Sequence, residues 1–245
     1  MQMNKIQSLA MEIKSIFSTG MVTDVYEICK KLEIEIEEAP ISADAYLECI
    51  DGKSYIILNQ YLNDKRKIFT IAHELGHFFI PGHSELMFGC NINEMDLAKE
   101  YLPKEKEANL FAAELLMPAS ELRKFFSGKV NYDNVSYIAN RFNVSFHAAL
   151  SRCIDLSNED CVVVSSVNYL IKWFISTEYF PFYVRKNRIS KLSGAADLVD
   201  SNCFTIKTVV EPGHIWFLNA EDQRIEEESF IFPNYNEVLS IIHLK

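Results

Sequence analysis

The sequence predicts an α+β fold in two parts, on three observations. Apolar residues recur at helical spacing in segments near residues 4–17, 64–80, 105–117 and 133–152. Short β-rich stretches carrying a hairpin signal lie between the early helices, at 34–58. From Asn158 onward the texture turns to β-rich runs separated by Pro, Gly, Asn and Asp. The 245 residues, 49% of them hydrophobic, are enough to bury a sizeable core, in one elaborated domain or two small ones.

Asn4 to Phe17 alternates charged and apolar residues at helical spacing, and Thr23-Asp24 starts a second helix that ends near Leu32. Ile34–Ala39, Ala45–Ile50 and Ser54–Leu58 read as three strands of a small antiparallel sheet, the last two joined by Asp51-Gly52. Asn63-Asp64 caps the next helix and Pro81-Gly82 stops it. Gly82 to Pro103, with the clusters Gly82-His83-Ser84 and Phe88-Gly89-Cys90-Asn91, reads as a long loop. Glu105 to Met117 is a helix by composition and ends at Pro118.

The helix starting at Asn63-Asp64 contains His73-Glu74-Leu75-Gly76-His77, the pattern H-E-x-x-H. At about 3.6 residues per turn the two histidines share a face one turn apart, so both imidazoles can reach one ion. Glu74, about 100° round from His73, stands beside the ion and can take a proton from a water on it. Ile71, Leu75, Phe78, Phe79 and Ile80 surround the motif, an apolar setting in which unpaired polar groups are costly. Gly76 in mid-helix costs about 1 kcal/mol relative to Ala, which suits a close approach by another element or a ligand. Zn is the ion expected, with Mn or Fe able to occupy a His/His/Glu set.

A catalytic zinc takes three protein ligands and keeps one position open. Projected at about 100° per residue, Glu107, Leu110, Phe111 and Glu114 share one stripe of the Glu105–Met117 helix, and Glu105 falls nearly opposite. Glu107 is therefore expected as the third ligand. Glu114 is expected either to orient one histidine by accepting from its ring N–H or to be a helix-surface carboxylate. His83, ten residues after His73, is the rival: its spacing fits H-E-x-x-H-x-x-G-x-x-H, but Ile80 stands where that pattern needs glycine. It is otherwise a loop histidine or an aid to the tetrahedral intermediate. The sheet edge beside the motif helix either pairs with an extended substrate or merely covers the helix.

Phe69 to His77, followed by Glu107-Ala108-Asn109-Leu110-Phe111-Ala112-Ala113-Glu114-Leu115-Leu116-Met117-Pro118, resembles the ImmA/IrrE family of metallo-endopeptidases over about residues 20–155. The resemblance implies a zincin-like minimal peptidase domain, with His73, His77 and the downstream glutamate binding zinc and Glu74 as general base. It also implies a protein substrate, a helix-turn-helix repressor whose cleavage derepresses mobile-element or stress genes.

Asp133 to Arg152 reads as helix, tight turn, helix, with Ser145 capping the second. The second helix offers only Arg152 and His147 for phosphates or bases, so the pair is expected to pack on the peptidase and not to bind DNA directly. In the β-rich part, Tyr183 to Lys191 is the concentrated basic segment, a solvated face or a contact for an acidic partner. The expected organisation is 1–127 peptidase, 128–157 helix-turn-helix-like segment, and 158–245 a β-rich domain of regulatory or docking role.

A net charge of −10 disfavours whole-surface attraction to nucleic acid or anionic lipid, and no run reaches the ~18–20 apolar residues of a membrane span. Six cysteines without a C-x-x-C pair, and no signal-peptide pattern, favour a reduced cytoplasmic setting as the expectation. The competing class is a non-catalytic DNA- or protein-binding regulator with a structural metal site, but a structural site has no need of Glu74 and takes four protein ligands.

Overall fold

The structure is a computed structural model and describes residues 2–18, 20–83, 94–185, 187–201 and 203–245. The expected Phe88–Asn91 cluster and Ser84 lie outside the described residues, as does Lys186 of the basic segment. The fold is α+β and divides into two compact units, Met1–Phe125 with Ile138–Ala148, and Phe126–Tyr137 with Ala149–Lys245. The helical segment 128–157 is thus shared between the units.

The first unit begins with α1 (Gln2–Phe17) and α2 (Val25–Lys31). Asp24 caps α2 by accepting from the Glu27 N–H at 3.0 Å. Three strands follow, β1 (Glu35–Ala39), β2 (Ala45–Ile50) and β3 (Lys53–Asn59). Asp51 (φ 51°) and Gly52 (φ 79°) both adopt the left-handed conformation of a two-residue hairpin turn, which joins β2 to β3.

The sheet is mixed, which corrects the antiparallel expectation: β2 pairs antiparallel with β3, but β1 runs parallel to β3, with Glu35 opposite Tyr55. The strand order is β1-β3-β2. Two successive reversals bring β3 back to the direction of β1, and β3 then lies between them. Asn59 at the end of β3 holds the β1–β2 connection across the sheet end, donating from its amide to the Ile41 and Ala43 carbonyls at 2.9 and 3.0 Å. The consequence is that β2 is an edge strand.

Next come α3 (Asp64–Phe79), α4 (Glu94–Leu116) and a short α5 (Ala119–Leu122). Asn63 caps α3 by accepting from the Arg66 N–H at 3.0 Å. The α4 helix starts eleven residues before Glu105, so the expected loop ends earlier than Pro103. Ile56 and Leu58 of β3, Ile71 and Leu75 of α3, and Phe111 and Leu115 of α4 are fully buried and form the core under the sheet.

The paired helices are α6 (Tyr132–Arg141) and α7 (Phe146–Leu156). Ser145 caps α7, accepting from the Ala148 N–H at 3.1 Å.

The second unit is built on a five-stranded antiparallel sheet in the order β5-β4-β10-β9-β7, comprising β4 (Cys161–Val167), β5 (Leu170–Ser176), β7 (Ile206–Pro212), β9 (Arg224–Phe232) and β10 (Glu237–Leu244). A two-stranded pair, β6 (Tyr183–Val184) and β8 (Phe217–Leu218), completes it. Its core gathers Val162, Val164, Trp216, Phe217, Ile231 and Ile242. In the basic segment, Arg185 donates to the His214 carbonyl at 2.7 Å. Among the described residues no helix is long and apolar enough to cross a membrane.

Beneath this sheet Glu227 accepts from the Gly194 N–H, the Trp216 indole N–H and the Ser229 hydroxyl. Glu211 lies against it. Burial, and then the adjoining Glu227 carboxyl, push the Glu211 pKa from 4.5 up to about 9. A folded-state pKa raised this way adds stability that is full below about pH 4.5 and drains away as pH rises to about 9. The Glu211→Gln chain should therefore gain on the wild type in thermal midpoint as pH is raised from 5 to 9, and parallel curves would refute a protonated Glu211.

Candidate metal centre

The centre is set by one close contact between helices. A Cβ added to Gly76 of α3 would lie 3.1 Å from the Ala108 Cα of α4 and 3.2 Å from its carbonyl oxygen. On a wheel of about 100° per residue, His73 and His77 fall on one side of Gly76 and Phe79 on the other. Glu105 and Asn109 fall on one side of Ala108, with Phe111 and Glu107 on the other. The contacts follow this division. Phe79 stacks on Phe111, ring centroids 6.0 Å apart. On the polar side the His73 and His77 Nε2 atoms approach to 3.1 Å, and Glu105 places one carboxylate oxygen 3.2 Å from each of them.

His73, His77 and Glu105 thus present ligand atoms all within 4.8 Å of one another. Two imidazole nitrogens and a carboxylate suit Zn, and also Mn or Fe. The imidazoles are suited to ligation: burial lowers both histidine pKa values, that of His77 to about 3 with help from His73, His83 and Lys104, so the lone pairs are free near neutrality.

Glu107 was expected beside the histidines; the acid that this geometry brings to the His73 and His77 Nε2 atoms is Glu105. The stripe that carries Glu107, Leu110 and Phe111 belongs to the aromatic side of the helix contact, and Glu105 is the acid that faces the histidines. Glu107 instead lies with His83: the His83 Nε2 is 3.0 Å from the Glu107 Oε2, and the His83 Nδ1 is 3.1 Å from the His77 Nδ1. His83 is 3% exposed and meets the face of His77 turned away from Glu105, so it does not join the three-residue group. Glu114, expected as an acceptor for a histidine, accepts from the Ala119 N–H at 3.0 Å beyond the end of α4. The acceptor on His73 is Asn109, whose Oδ1 is 3.0 Å from the His73 Nδ1. The readable signal for Glu105 was its i, i+4 pairing with Asn109, which mirrors His73 and His77, together with the small Ala108 placed to meet Gly76.

Glu74 is 7% exposed and lines the same cleft, of about 440 Å³, as His73, His77 and Glu105. Burial, reinforced by the charge of Glu105, pushes its carboxyl up to about 7, and a hydrogen bond from the Leu47 N–H opposes this. The edge strand β2 borders the same cleft, which Ala45, Tyr46 and Leu47 line. Asp44 and Arg66 form an ion pair at the same cleft, Arg66 Nε to Asp44 Oδ2 being 2.9 Å.

Gly76→Ala tests the helix contact. Alanine adds helix propensity worth up to about 1 kcal/mol, but its methyl meets Ala108 backbone, which cannot yield without parting the helices. The clash should win, with a loss of about 1–3 kcal/mol in denaturant unfolding. An unchanged or higher midpoint would mean that the contact is not tight.

Residues 29–153 match the family model described as the IrrE N-terminal-like domain. Metallopeptidase ImmA of Bacillus subtilis (strain 168) is 31% identical over 107 residues, a match that takes in 43% of this chain and 61% of that relative. The chain therefore spans less than two thirds of the curated relative it matches. A solved Mycobacterium tuberculosis transcriptional regulator is similar in fold, with a TM-score of 0.60 at 13% identity over 100% of this chain and 82% of that one.

Proposed function

The chain belongs to the IrrE N-terminal-like, ImmA/IrrE family of metallopeptidases, and from that premise we propose that it is a zinc-dependent endopeptidase with His73, His77 and Glu105 as ligands and Glu74 as general base. The observation that carries this reading is the joint placement of the three donors and Glu74 in one cleft.

A metal held there supplies Lewis acidity, which acidifies a water and polarises the scissile carbonyl. Glu74, with a pKa near 7 in its buried setting, accepts the water's proton and delivers it to the departing amine nitrogen. Asn109 holds the His73 ring by its Nδ1, so that Nε2 faces Glu105 and His77, where the ion would be held. β2 is an edge strand whose Ala45 and Leu47 line the cleft, so its free edge offers backbone hydrogen bonds to a substrate laid along it as an extra strand.

The substrate proposed is a helix-turn-helix repressor, on the strength of the family resemblance. Acidic surface charge and the sparse cation content of α7 speak for a protein substrate and against direct reading of DNA. The test compares new protein N-termini in cells expressing the wild type and Glu74→Gln. A helix-turn-helix protein cut only by the wild type supports the proposal. Identical fragments of every such protein overturn the repressor assignment.

A further inference from the structure

We propose that His83 and Glu107 are positioning residues that fix the tautomer of His77, a role that rests on His77 being a metal ligand. The three side chains form a line: His77 Nδ1 to His83 Nδ1 at 3.1 Å, then His83 Nε2 to Glu107 Oε2 at 3.0 Å. His83 is 3% exposed, so its ring polarity is matched inside the protein.

The donor directions follow from one end. A carboxylate can only accept, so Glu107 claims the His83 Nε2–H. The two Nδ1 atoms, 3.1 Å apart, share one proton, and with a ring proton of His83 held at Nε2 by Glu107 the His83 Nδ1 is the accepting end. The His77 Nδ1 must donate to it, which leaves the His77 Nε2 lone pair facing Glu105 and His73. His73 reaches the same tautomer by a shorter route, since the amide oxygen of Asn109 accepts directly from its Nδ1. Each histidine thus has its own acceptor, and the acidic residue read from the sequence as a ligand acts one histidine removed from the ion.

The test uses the full chain and Zn²⁺ alone, titrated in competition with a chromophoric chelator. Wild type should bind about one Zn²⁺. Glu107→Ala and His83→Leu should keep that stoichiometry and bind about 10- to 100-fold more weakly, the usual cost of losing an outer partner of a metal-bound histidine. His83→Gln, whose amide can both donate to Glu107 and accept from His77, should recover most of the affinity. Nitrogen NMR of the metal-free chain gives the second readout: His77 should carry its proton on Nδ1 in the wild type and lose that preference in His83→Leu. Glu107→Ala, at a partly exposed position, keeps the test available where a leucine at 83 impairs folding. Unchanged affinity and tautomer in both variants overturn the relay while leaving the metal site standing. Loss of the bound ion from His83→Leu at saturating zinc also overturns it, by making His83 a ligand. A wild type that takes up no zinc overturns the metal-site reading and the relay with it.

Discussion

Glu105→Ala should strip the metal from the chain while Glu107→Ala keeps it at saturating concentration. Glu105 sets an oxygen 3.2 Å from each histidine Nε2, so its loss leaves two imidazoles and no anionic ligand to offset the charge of a dication. The fall in affinity should exceed the about 10- to 100-fold associated with outer partners. Elemental analysis of protein purified from zinc-supplemented medium reads this directly, with about one ion per chain in the wild type and in Glu107→Ala and almost none in Glu105→Ala. Equal occupancy in Glu105→Ala and wild type would return the ligand assignment to Glu107, where the helix-wheel argument first put it.

Glu74→Gln should show the opposite split, a full complement of metal and a loss of hydrolysis of about 10²- to 10⁴-fold, the range for removing a general base. Glutamine has nearly the same shape, and its carbonyl oxygen can still accept from the Leu47 N–H. What it lacks is a site for the water's proton. Cleavage of a fluorogenic peptide, or of the repressor once found, measures the loss. Turnover at the wild-type rate would move the base to another residue, and metal loss would mean that Glu74 also holds the ion or the local fold.

Much of the first unit was legible because its signals are local. Asp24 and Asn63 cap the helices that follow them, Asp51-Gly52 closes the hairpin, and Ser145 caps α7, each through bonds spanning a few residues. H-E-x-x-H is local in the same sense, since one helical turn is enough to place His73 and His77 together. Gly76 signalled a close approach and the structure places Ala108 there.

What lay beyond local signals came out differently. The β1 strand was read correctly in position but assigned the wrong direction relative to β3, because strand pairing depends on which edge a distant segment reaches. In the second unit the sequence showed a β-rich texture, but the strand order, with β10 in the middle between β4 and β9, is set by long-range pairing. The basic segment, read as a solvated face or a contact for an acidic partner, leaves Arg185 and Arg188 exposed, and Arg185 donates to the His214 carbonyl.

The sequence alone determined the chemistry on offer: two imidazoles and a carboxylate one turn of α3 apart, an acid-bearing helix downstream, and an α+β frame. Tertiary structure alone decided which acid meets the histidines. Periodicity fixes the angles between residues of one helix but leaves the rotation of that helix against its neighbour undefined. Here that rotation is set by the contact of Gly76 with Ala108, which turns Glu105 and Asn109 toward the histidines and leaves Glu107 to His83.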